Sequence, residues 1–203
     1  MDTNQLTPQD SFDIINKAIS NFRMNYRESA KIFLLWGWIL ALASLSNYII
    51  LAVLKGSEAY NLRGIYSLIN WVIFIVIGFI AQFFLLRSIN KDKKVYSHLE
   101  GYLKKLWIVS AAAFFIGGFL CFQLGIDPPA IMLLIAGIAT TASGLLIKFK
   151  PLILGGISFF IFSVAATFVS NEYIALIVCA AIICGYLIPG YFLKSAKEQV
   201  NVQ

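Results

Sequence analysis

The chain has 203 residues and a formal net charge of +6, with 60% of its residues hydrophobic and only 13% charged. A soluble domain carries close to a quarter of its residues as charges, so there is too little polar surface here to cover a water-soluble fold of this length. In a soluble protein the basic balance would point to nucleic acid. Here the membrane pattern below absorbs it, and no nucleic-acid partner is expected.

The first thirty residues carry Asp2, Asp10, Asp13, Lys17, Arg23, Arg27 and Glu28, and no apolar run appears before Ile32. That pattern is unlike a secretory signal peptide. Thr7-Pro8-Gln9-Asp10 reads as a helix start with proline at the first helical position. Phe12, Ile15, Ile19, Phe22 and Tyr26 then recur at alternating spacings of three and four, which predicts a helix over residues 8–30 with one apolar stripe. Lys17, Arg23 and Arg27 lie mostly off the stripe. The simpler reading is a helix lying on the cytoplasmic leaflet; the sharper one is a docking helix whose apolar face fills a partner's groove.

Six apolar stretches follow, at 32–54, 67–86, 106–124, 130–147, 152–169 and 173–193. A hydrocarbon core about 30 Å thick takes roughly 20 apolar residues per helix. The expected fold is therefore all-α: a polytopic membrane protein of six transmembrane helices in an up-down bundle. An amphipathic cytoplasmic helix region, 1–31, precedes the membrane domain 32–193, and a cytoplasmic tail, 194–203, follows it.

Fourteen of the sixteen Lys and Arg residues fall in alternate gaps between the stretches. The N-terminal region holds Lys17, Arg23, Arg27 and Lys31. The gap after the second stretch holds Arg87, Lys91, Lys93, Lys94, Lys104 and Lys105. Lys148 and Lys150 mark the turn after the fourth, and Lys194 and Lys197 the tail. The opposite side carries only Lys55 and Arg63. Cytoplasmic loops carry the basic excess, so both termini are expected in the cytoplasm. Trp36, Trp38, Trp71, Trp107, Tyr102, Tyr173 and Tyr191 fall near stretch ends, where amphipathic rings form an aromatic belt.

Pro128-Pro129, Lys148-Phe149-Lys150-Pro151 and Asn171-Glu172 are too short to join anything but antiparallel neighbours. Residues 88–105 form the longest loop on the basic side. With Arg23, Arg27, Lys91, Lys93, Lys94, Lys104 and Lys105 it is expected to meet anionic lipid head groups or a protein partner, each Lys near a membrane surface contributing about 1 kcal/mol. Its single histidine, His98, reads as a solvated residue. No convincing internal repeat is present.

No Asp, Glu, Lys, Arg or His lies centrally in a stretch. Intramembrane ionisable groups mark ion pathways and proton relays, so a carrier coupled through membrane carboxylates is not expected. The uncharged polar residues Asn47, Asn70, Gln82, Thr140 and Thr141 are the candidates for either helix–helix contacts or a polar path. Amides buried in hydrocarbon need partners, which favours the first role. Gly137, Thr140, Thr141 and Gly144, the pair Ala113 and Gly117, and the pair Ala181 and Gly185 mark close helix approaches. Pro189, in Gly185-Tyr186-Leu187-Ile188-Pro189-Gly190-Tyr191, is expected to kink or end the last helix.

Cys121, Cys179 and Cys184 all lie in apolar stretches and read as packing residues rather than disulfides or metal ligands. Ser143 has no histidine in any stretch to activate it as a nucleophile. No metal cluster or phosphate-cradling glycine loop is found. No catalytic residue, cofactor or metal is therefore assigned, and no motif ties the chain to a family. The short loops and the lack of Asn-x-Ser/Thr sites favour a bacterial inner membrane. The function expected is non-enzymatic, an interaction or regulatory role exerted through the basic cytoplasmic face. A small carrier or pore is the alternative, and a lipid-handling enzyme the weaker third.

Overall fold

A computed structural model describes the backbone of residues 8–91, 98–170 and 173–195, and side chains over 30–89, 101–170 and 173–195. Every element among these residues is helical. They are α1 (Pro8–Leu54), a 3-10 turn (Glu58–Leu62), α2 (Arg63–Lys91), α3 (His98–Leu124), α4 (Pro129–Leu146), α5 (Lys150–Ala166), α6 (Ile174–Ile182), a π-turn (Ile183–Leu187) and α7 (Ile188–Ser195).

Five segments are long and apolar enough to cross a membrane: Ala30–Leu54, Glu58–Ile89, Gly101–Leu124, Pro129–Leu146 and Ile174–Ser195. Lys150–Ala166, at 17 residues, is a shorter apolar helix. The outside of the molecule is apolar: Val53, Phe115, Phe122 and Phe168 are 75%, 80%, 81% and 83% exposed. In water such a surface would aggregate; against lipid tails it is the expected one. The interior is lined instead by small and hydroxyl residues, with Ala43, Ala181, Ser44, Thr140 and Ser143 fully buried. Lipid is as apolar as leucine, so helices associate by close backbone approach and polar ties rather than by burying large side chains. This is an α-helical membrane protein.

The core is built from α1, α4, α5 and the α6–π–α7 segment. Phe33, Leu133, Leu152, Phe159, Ile182 and Tyr186 are its large buried side chains. Helix α2 packs chiefly on α1, and α3 chiefly on α4, so both flank the core. Helices α4 and α5 run antiparallel at close range. A Cβ on Gly137 would strike Phe160, one on Gly144 would strike the backbone of Ile153, and one on Gly156 would strike that of Thr141.

The turns that stop the helices are satisfied locally. At the end of α3, Gly125 takes φ +63°, its N–H bonds to Phe122 O, and the Ile126 N–H reaches Cys121 O at 3.0 Å. The end of α4 repeats this pattern with Lys148 in the left-handed position, φ +54°, and the Phe149 N–H on Gly144 O at 2.9 Å. Both are Schellman caps, which pair otherwise orphaned carbonyls. Glycine fits that position without strain; Lys148 holds it at a cost of about 1–2 kcal/mol.

Three boundaries differ from the sequence reading. First, α1 is one unbroken helix of 47 residues, about 70 Å long, with no break at 31/32 between an interfacial helix and a first span. Second, the expected 88–105 loop is largely helical: α2 runs on to Lys91 and α3 begins at His98. Third, Pro189 does not end the last helix. The chain absorbs it in the π-turn just before, where the Ile188 N–H bonds to Ile183 O, five residues back, and α7 continues to Ser195. Widening the turn accommodates the missing proline N–H without breaking the helix.

Candidate functional site

Polar side chains inside the bundle sort into separate helix seams. Between α1 and α2, the Trp36 indole N–H donates to Gln82 Oε1 at 2.7 Å. Higher along the same seam, Ser46 Oγ donates to Asn70 Oδ1 at 2.9 Å, and Asn70 Nδ2 donates to Ala43 O at 2.9 Å. Both ends of the Asn70 amide are thus used, one on a side chain and one on a backbone carbonyl. Between α1 and α6, Ser44 Oγ donates to Ala175 O at 2.6 Å. Between α4 and α5, Ser163 Oγ donates to Ala130 O at 2.7 Å.

The sequence placed Trp36 in an interfacial belt. The structure makes it a tie instead, with its ring edge-on to Phe79 at 5.4 Å and its plane lying over Gly78. An indole N–H facing hydrocarbon needs an acceptor, and Gln82 on the neighbouring helix supplies one. Trp38 is exposed and donates to the Tyr191 hydroxyl at 3.2 Å.

Among the described residues three buried oxygens lack a hydrogen bond of good geometry, Asn47 Oδ1, Thr140 Oγ1 and Thr141 Oγ1, although the Tyr186 hydroxyl is close enough to Thr140 to interact with it. They do not share one place. Asn47 is on α1, one turn beyond Ser44. Thr141 sits in the α4–α5 crossing against Gly156. Thr140 lies beside Tyr186 of the π-turn. Tyr186 is the point where the core helices meet: its ring lies 4.8 Å from Phe159 of α5 and 5.9 Å from Phe33 of α1. Gly185 and Gly37 make room for this node, because a Cβ at the first would strike the Phe159 ring and one at the second Leu187.

The π-turn and Gly155, which receives it, were not legible as a pair. Gly185 and Pro189 four residues apart was the available signal for the first, and the glycine doublet for the second. Of the five polar candidates, Asn70 and Gln82 are spent on the α1–α2 seam, while Asn47, Thr140 and Thr141 carry free acceptor capacity at separate points.

At the end of the bundle that carries the basic residues, Lys104 and Lys105 are exposed, and Lys105 Nζ lies over the Tyr102 ring at 5.9 Å. Arg87 is exposed over Phe83 at 5.5 Å. Lys31, Lys148, Lys150 and Lys194 are exposed as well. Lys91 closes α2, and Arg23 and Arg27 lie within α1, by backbone position only. Lys93 and Lys94 fall outside the described residues, as do Asn171, Glu172 and the tail beyond Ser195. Among the described residues no three of His, Cys, Asp and Glu come together.

Set against family models, curated proteins and solved structures, the chain matches none of them. Its class, an α-helical membrane protein, therefore rests on its own composition and geometry.

Proposed function

We propose that the chain is a six-span protein of a bacterial cytoplasmic membrane, with α5 as its fifth crossing and both termini cytoplasmic. Seventeen residues of helix are at the short end of what spans a bilayer, and Phe168, just beyond the end of α5, extends its apolar length. Its role is non-enzymatic: it interacts with or regulates a partner through the basic cytoplasmic face, helped by anionic head groups.

One observation carries this reading. The Asn70 and Gln82 amides pair off between helices, whereas the exposed Lys and Arg side chains among the described residues, Lys55 apart, gather at one end. Polar groups that tie neighbouring helices contribute about 0.6 kcal/mol each on average, which is glue rather than a permeation path. Deleting residues 1–28 and recovering cross-linked partners from native membranes tests it. Loss of specific partners is expected; an unchanged set overturns it.

A second reading, a small carrier or pore, draws support from the unpaired oxygens of Asn47 and Thr141 and from the acceptor capacity of Thr140. Flux of small polar solutes into liposomes, abolished by Asn47→Ala and Thr140→Ala, is the outcome it requires. Flux that survives both changes removes these residues from any path.

A further inference from the structure

Between Lys31 and Leu51 the exposed residues of α1 are Lys31, Trp38, Leu42, Leu45 and Ile49. At about 100° per residue all five fall within about 40° of Trp38, so they form one narrow row. Helix α2 covers one side of α1 through Trp36, Ala43 and Ser46. The α6–π–α7 segment covers another through Phe33, Gly37 and Ser44. The row is the strip that both leave bare. It lies within Ala30–Leu54, a segment long and apolar enough to cross a membrane, and it carries a cation at one end and aliphatic side chains at the other.

The strip borders α7 where the two helices come closest. A Cβ on Gly190 would lie 3.6 Å from the Leu34 backbone N. Beside that contact the Trp38 indole N–H donates to the Tyr191 hydroxyl at 3.2 Å, with the two residues 50% and 46% exposed. Helical side chains lean toward their own N-terminus. Because α1 and α7 run antiparallel, Trp38 leans toward the basic end and Tyr191 away from it, and the rings meet.

The Tyr191 hydroxyl accepts from Trp38 and keeps its own proton to give. Among the described residues nothing accepts that proton, and no carboxylate pairs with Lys31 or Lys194. Lys31 stands three residues, about 4.5 Å, nearer the basic end than Leu34, and Lys194 four residues, about 6 Å, beyond Gly190. Around α7, Lys194 falls between Gly190 and Tyr191; around α1, Lys31 falls about 20° from Trp38. Two exposed cations therefore end the same seam that Trp38 and Tyr191 bridge. By backbone position Arg27 and Glu28 precede them on α1, one charge of each sign.

We infer that this seam holds one anionic glycerophospholipid. Its phosphate sits between Lys31 and Lys194, a glycerol-ester carbonyl accepts from Tyr191, and an acyl chain runs along Leu42, Leu45 and Ile49. Lysines near a membrane surface attract anionic head groups, and a tyrosine at the interface seeks a partner for its hydroxyl. A soluble phosphate compound would leave the apolar row bare, whereas a diacyl lipid covers row and cations together. The proposal rests on the membrane placement in the reading above and on no protein partner. Deleting residues 1–28, the test of that reading, leaves every residue of this seam in place, so the two fail separately.

The test uses the full chain in phosphatidylcholine nanodiscs carrying an equal minor fraction of brominated phosphatidylglycerol or brominated phosphatidylcholine. Bromine quenches indole emission at short range. The phosphatidylglycerol is expected to quench more, and Trp38→Phe should remove the excess, which assigns it among the four tryptophans. Lys31→Gln with Lys194→Gln should weaken the apparent affinity by roughly tenfold or more. Lys31→Arg with Lys194→Arg keeps the charge and should keep the excess. Arg87→Gln with Lys148→Gln removes two charges from the same end of the bundle and should also keep it. Tyr191→Phe, which removes only the hydroxyl, should weaken binding severalfold.

Equal quenching by the two lipids, or an excess that survives Trp38→Phe, overturns the proposal. So does an equal fall in the two charge-removing pairs, because the cations then act as a diffuse field rather than a site. Loss of the excess in the arginine pair overturns it as well. Displacement of the brominated lipid by soluble glycerol phosphate would assign the lysines to a free phosphate compound. An excess seen only with two copies per disc would assign the strip to a second copy. One seen only after truncation at Ser195 would assign it to the chain's own tail. Each of these three outcomes removes the lipid from the seam.

Discussion

Gly156 shows how much a single position decides in a protein whose interior is built from small residues. A Cβ there would lie 2.5 Å from the Thr141 backbone N, and backbone cannot swing away as a side-chain tip can. Gly156→Ala should lower stability by about 1–3 kcal/mol, the usual range for overpacking, read as a drop in the thermal unfolding midpoint in detergent. Gly64→Ala is the matched control, since nothing lies within 4 Å of a Cβ there; an equal drop for both would discard the close-approach account. The sequence marked Gly137, Thr140, Thr141 and Gly144 as a small face; Gly137, Thr141 and Gly144 meet α5, while Thr140 lies beside Tyr186. It offered no means of choosing Gly156 as their partner, because which two small faces meet depends on the crossing of two helices. The amides divide in the same way. Gln82 and Asn70 found partners on α1, as burial in hydrocarbon demands, but that Trp36 would be one of them required the α1–α2 register.

At the scale of the element, α1 is where local pattern and tertiary outcome part. The stripe at 12, 15, 19, 22 and 26 was readable, and so was the apolar run from Ile32. Whether the two form one rod or two helices meeting at an angle was not, because Ser29, Ala30 and Lys31 include no proline or glycine to force a break, while Ser29 is a residue type able to cap a new helix. One rod makes a metric prediction. Spin labels at Asp10→Cys and Lys31→Cys, in a background lacking Cys121, Cys179 and Cys184, should lie roughly 32 Å apart by helical rise. A narrow distribution at that value is expected; a markedly shorter or broad one would mean that the helix bends or breaks. The final helix teaches the converse. Pro189 was readable as a disruption, but the chain turned it into a π-turn that sets Tyr186 among Phe33, Phe159 and Thr140. A proline states that one hydrogen bond is missing. The packing around it determines whether the helix stops, kinks or widens.

For the whole molecule, the distribution of Lys and Arg predicts orientation. With an impermeant thiol reagent on intact cells, Glu58→Cys should be labelled, and Lys148→Cys should react only after the membrane is opened, again in a background without the native cysteines. Lys148→Cys reacting from outside would reverse or break the topology. Sequence alone determined the solvent of this protein, because mean composition and the length of apolar runs are set against bilayer thickness and need no contacts to be read. It also determined the alternation of charge, since each loop's basic residues act locally on insertion. Only the tertiary structure decided which polar groups tie helices and which keep an unpaired oxygen, and that one helix runs from Pro8 to Leu54. Those are matters of register and crossing between segments far apart in the chain, and periodicity within one segment carries no information about them.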